Sequence, residues 1–171
     1  MKRNLVLYLF LLFLIEGSVM PWLIPEYELF QFEPHFVLVA ILYAAIFLNR
    51  YYALFFGLLF GLLQDFIYYG HMIGLQSFSM GLIGYAAGLL FRNAQVTLLM
   101  SLSMILLGNF AYESVVYFLY RLFEIIEFSF EWALVQVIMP SLILNLLFAL
   151  IIYWPARWYL ERADSKRKEK E

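Results

Sequence analysis

The chain has 171 residues, of which 65% are hydrophobic and 20% aromatic against 14% charged, and its mean hydropathy is +0.83. Soluble domains are nearer half apolar and a quarter charged, so this composition belongs to an integral membrane protein, and a net charge of −2 gives no sign of a nucleic-acid partner. The absence of cysteine excludes disulfides, thiol catalysis and Cys-based metal sites, and the length suits one membrane domain.

Met1, Lys2 and Arg3 precede an apolar run over residues 5 to about 24. A basic start with an apolar core also describes a signal peptide, but Glu16 interrupts the core and no A-x-A-like site follows, so a retained first helix is expected. Residues 25–35 form an acidic loop with Glu26, Glu28 and Glu33. The next apolar run, residues 36–48, reaches only about 20 Å, short of the roughly 30 Å hydrocarbon core. As a span it must borrow flanking residues or thin the bilayer. Asn49 and Arg50 turn the chain into a third helix, residues 51 to about 69. A fourth helix, residues 75–91, carries Ser77, Gly81, Gly84 and Gly88 along one face, a smooth stripe suited to lie against another helix. Arg92 and Asn93 lead to a fifth, residues 96–119. After a loop with Glu124, Glu127 and Glu131, a sixth spans about residues 134–153, with Pro140 placed to kink it and Pro155 at its exit. The expected architecture is an all-α polytopic membrane protein of about six transmembrane helices, residues 1–160, followed by a charged cytoplasmic tail, residues 161–171.

Six spans place both termini on one side. That side carries Lys2, Arg3, Arg50, Arg92, Arg157, Arg162, Lys166, Arg167, Lys168 and Lys170, and only Arg121 falls on the other. The positive-inside rule then puts both ends in the cytoplasm. Trp22 and Trp132 fall near the outer boundary, Trp154 and Trp158 near the inner one, as aromatic belts do.

The polar residues inside the spans are few. Gly57 and Gly61 are four residues apart, Asp65 follows at the same interval on the same face, and Gly70 and Gly74 punctuate the turn beyond. Small residues so spaced let helix backbones approach closely, and a carboxylate at the end of that face is not expected to meet lipid. These five residues are read as a packing hairpin or a partner-binding surface. Glu16 and Glu113 lie in mid-helix, with Asn109 one turn before Glu113, and together with Asp65 they fall in the outer half of the membrane. Such acids are either functional groups or hydrogen-bonded knots that lock helices together. Arg121 is the basic partner within reach of Glu113 on that side. His35 and His71 lie near the outer interface, but no HExxH or similar spacing supports a metal. No serine has a histidine at motif distance, and no nucleophile elbow, P-loop or dinucleotide fingerprint occurs. No catalytic, cofactor-binding or metal-binding residue is therefore assigned, and no cofactor is expected.

The pattern Gly57-x3-Gly61-Leu62-Leu63-x-Asp65, followed by Gly70, Gly74 and Leu75, resembles the rod shape-determining protein MreD family. The small size, Glu16, Glu113 and the short basic tail are similar too, and the resemblance covers about residues 4–160. It implies a non-enzymatic subunit of the bacterial elongation machinery in the cytoplasmic membrane. The implied partners are MreC, by direct contact, with the actin-like MreB, RodA and a class B penicillin-binding protein. It also implies six helices folded like the substrate-binding subunits of energy-coupling-factor vitamin transporters. Those subunits represent the other reading, a small-molecule binder whose outward pocket would use the three acids for a cationic ligand.

Overall fold

The computed structural model describes residues 2–19, 32–67, 72–90 and 97–168. All regular structure among them is helical. Helix α1, Lys2–Leu14, passes into a π-helical turn, Ile15–Val19. It is followed by α2 (Phe36–Phe47), α3 (Arg50–Ile67), α4 (Leu75–Leu90) and α5 (Leu98–Leu122). Helix α6 consists of Phe130–Ala133, the π-helical stretch Leu134–Ile138 and the long segment Met139–Lys168. Among the described residues three stretches are long and apolar enough to cross a membrane: Arg50–Ile67, Leu98–Leu122 and Phe130–Tyr159. The apolar parts of α1, α2 and α4 are shorter.

The centre of the bundle is α2. Its sequence FVLVAILYAAIF is apolar on every face, which suits a helix enclosed by others, and every residue from Phe36 to Ile46 is buried. It touches each of the other five helices. Its 12 residues make a rod of about 18 Å. The helix expected to borrow residues or thin the bilayer is enclosed by protein along its length. What α2 then requires is polar partners inside the bundle for its terminal backbone groups.

The closest pairing is the α3–α4 hairpin. A Cβ added at Gly57 would lie 2.8 Å from Gly81 Cα, and one at Gly61 only 2.5 Å from Ser77 Cα. At the far end of the hairpin, a Cβ on Gly88 would lie 2.6 Å from Arg50 Cα. The two backbones therefore run in contact, and the smooth face of α4 lies on the smooth face of α3. Ser77 adds a hydrogen bond across the seam, its hydroxyl donating to the Leu58 carbonyl at 2.8 Å.

In α6 the π-helical stretch ends directly before Met139 and Pro140. A wider turn at this point accommodates a proline, which has no N–H for the regular ladder, without ending the helix. Pro155, expected at the helix exit, lies inside it, and the helix runs on to Lys168. Large side chains such as Leu7, Phe55, Leu99, Leu107 and Ile151 point outward, an apolar coat of the kind that lipid solvates.

Candidate functional site

The first backbone N–H groups of a helix have no partner within it, and in a water-poor environment each needs one. For α4 the partner is Asp65, at the end of α3. Its Oδ2 accepts the N–H of Gly74 at 2.9 Å and of Ser77 at 3.1 Å, and its Oδ1 accepts the N–H of Gln76 at 3.2 Å. A carboxylate here also meets the positive end of the helix dipole. Gly74, at φ +96, makes the turn that brings these three donors together.

For α2 the partner is Glu16, carried by the π-helical turn after α1. Its Oε2 accepts the Val37 N–H at 2.9 Å and its Oε1 accepts the Gln64 side-chain amide at 2.7 Å. Two residues of α6 hold the chain entering α2. Ser141 Oγ accepts the Glu33 N–H and Asn145 Oδ1 accepts the His35 N–H, both at 2.9 Å. Deeper in the bundle, the Tyr43 hydroxyl donates to the Ala149 carbonyl at 2.8 Å, tying α2 to α6 again.

The His35 side chain turns towards α5. Its Nε2 lies 2.9 Å from Glu113 Oε1 and 3.8 Å from Glu33 Oε2, and its ring stands edge-on to Tyr112 with centroids 4.9 Å apart. Glu113 and Asn109 are buried together on α5, where the Asn109 amide donates to the Ile105 carbonyl at 2.8 Å and its Oδ1 has no hydrogen-bond partner. His35 immediately precedes α2, outside the helical span. Burial works against a charged imidazole there, but Glu113, Glu16 and Glu33 more than offset it and raise the pKa to about 9.

The residues singled out in the sequence thus fall in two places. Gly57, Gly61, Asp65 and Gly74 meet at the α3–α4 hairpin, Glu16 and Glu113 sit around the start of α2, and Asn109 is buried on α5 one turn before Glu113. Gly70 and His71 lie outside the described residues. The partner of Glu113 is His35 and not Arg121, whose guanidinium donates to the carbonyls of Glu127 and Phe128 at 2.6 and 3.2 Å. Sequence reasoning passed over Gln64 and Asn145, and weighed Ser141 only as a catalytic hydroxyl. Their one signal was a polar side chain in an otherwise apolar run.

Taken together, the six helices among the described residues, three of them long and apolar enough to cross a membrane, and an interior whose carboxylates hold helix ends define a helical membrane protein. The family model for the rod shape-determining protein MreD matches residues 1–163, and the chain belongs to that family. MreD proteins are membrane proteins that determine rod shape, and theirs is not a known enzyme family. No curated protein and no solved structure matches the chain.

Proposed function

We propose that this chain is a non-enzymatic subunit of the bacterial cell-elongation complex, binding MreC directly. With MreB, RodA and a class B penicillin-binding protein it maintains rod shape and directs lateral peptidoglycan synthesis. The observation that carries this reading is the family match over residues 1–163. The geometry supports an architectural role as well, because Glu16 and Asp65 direct their carboxylate oxygens at backbone and amide donors that need them. The same engagement counts against a vitamin-type pocket, which would need those acids for its ligand. The fold is proposed to be that of the energy-coupling-factor substrate subunits, placed in the inner membrane with both termini in the cytoplasm, a topology supported by the asymmetry of Lys and Arg.

The test combines a pull-down with cell shape. Tagged protein purified in mild detergent should bring MreC with it, and depletion in the host should turn rods into spheres. Normal rods after depletion, with no MreC in the purified fraction, would overturn the proposal.

A further inference from the structure

Around the start of α2, three carboxyl groups (Glu16, Glu33 and Glu113) face a single imidazole, His35. Glu16 is satisfied by the Val37 N–H and the Gln64 amide. The other two acids converge on His35 Nε2, and the three donor atoms all lie within 4.8 Å of one another. A second observation concerns direction. His35 Nε2 and Glu113 Oε1 are only 2.9 Å apart, yet both are buried atoms without a hydrogen bond of acceptable geometry. The Glu113 side chain is 6% exposed, so no bulk water makes up that deficit. With the Glu33 carboxylate beside them, these two atoms form a site for a positive charge that is shared rather than held along one hydrogen bond: a proton on the imidazole, or a metal ion that displaces it.

We propose that Glu33, His35 and Glu113 bind a divalent transition-metal ion through one carboxylate oxygen each from Glu33 and Glu113 and the Nε2 of His35. Bonds of about 2.0–2.2 Å in a tetrahedral site separate neighbouring donors by roughly 3.3 Å. The 2.9 and 3.8 Å separations from His35 Nε2 bracket that value. The longer carboxylate-to-carboxylate gap closes by movement of Glu33, whose side chain is 54% exposed. Two carboxylates balance a divalent charge, and mixed imidazole and carboxylate donors suit zinc or manganese better than magnesium. The exposed Glu33 gives the ion a route in and leaves a coordination position for water. The backbone supports both ends of the site, since Ser141 and Asn145 fix the N–H groups of Glu33 and His35. The sequence reading assigned no metal because its ligands come from a loop and from a distant helix, a spacing no short motif describes.

The experiment is metal binding by the intact chain in mild detergent. After removal of metals with a chelator, Zn2+ is titrated calorimetrically with Mg2+ as comparator, and Co2+ is added to read the ligand-field spectrum. One Zn2+ per chain, a Co2+ spectrum of low coordination number, and at least tenfold weaker binding in Glu113→Gln and His35→Gln are expected. Where either variant does not purify as a monodisperse species, Glu33→Gln, on the exposed side, must show the same loss. Sub-stoichiometric binding, or equal Zn2+ affinity in the wild type and in Glu33→Gln, overturns the proposal and leaves His35 as a protonated partner of Glu113.

Discussion

Asp65 holds the backbone N–H of Ser77 at 3.1 Å, and one turn earlier on the same helix Gly61 lets Ser77 come so near that a Cβ would lie 2.5 Å from its Cα. The two contacts serve one purpose. Gly61 brings the start of α4 against α3, and Asp65 satisfies the donors that this approach removes from water. A small residue followed four positions later by an acid is therefore the signature of a capped hairpin.

Gly61 is expected to tolerate no side chain. Gly61→Leu inserts bulk into a backbone contact and should destabilise by about 3 kcal/mol, the upper end for overpacking. Gly74→Ala meets nothing within 4 Å. It should still cost about 1–2 kcal/mol because its backbone is left-handed. Thermal unfolding in detergent, followed by size-exclusion fluorescence, ranks the two. A Gly61→Leu variant as stable as wild type would disprove the packing argument.

At Asp65 the outcome should depend on acceptors more than on charge. Asp65→Asn keeps one oxygen for the three backbone donors and should be the milder change. Asp65→Ala leaves all three without it and should lose about 2 kcal/mol, the high end for loss of a helix cap. Equal melting temperatures for the two variants would mean that the cap contributes little.

Glu16 offers a cleaner contrast, because its two donors are of different kinds. Glu16→Gln can still accept from the Val37 N–H if Gln64 reorients its amide, and accumulation should stay near normal. Glu16→Leu leaves a buried backbone N–H and a buried amide unpaired, at about 1–3 kcal/mol each. The check is the amount of folded protein in the membrane fraction. Normal levels of Glu16→Leu would count against Glu16 as the cap of α2.

Orientation follows from the charge asymmetry and can be read in whole cells. The chain lacks cysteine, so single cysteines introduced at Glu127 and Lys166 report without background. An impermeant thiol reagent should label position 127 and spare position 166. The reverse pattern would invert the topology.

Much of the fold could be read from the residues, since six apolar runs and their polar turns are a matter of composition. That α3 and α4 each carry a smooth face for close packing was visible too, from small residues three or four apart, but not that the two faces pack on each other. The role of α2 was not. Its length looked like a defect while lipid was the assumed surrounding, and only the other helices reveal that it needs none. Pro155 misled because proline removes a donor in any helix, whereas this one continues beyond it to Lys168. The pairing of His35 with Glu113 joins a loop to a distant helix, and no periodicity encodes such a meeting. Arg121 was nearer in sequence, but the carbonyls of the α5–α6 loop claim it.

The enclosure of α2 also constrains how the chain is made. A segment of about 18 Å is too short to reach water at both faces of a bilayer. The groups that satisfy its beginning come from opposite ends of the polypeptide, Glu16 before it and Ser141 and Asn145 long after it. The Val37 N–H can be met by Glu16 early, but the N–H groups of Glu33 and His35 stay unmet until the final helix has left the ribosome. Independent insertion of finished rods that later associate would leave those two groups unpaired in the meantime. The last segment synthesised is the one that closes the structure around the second.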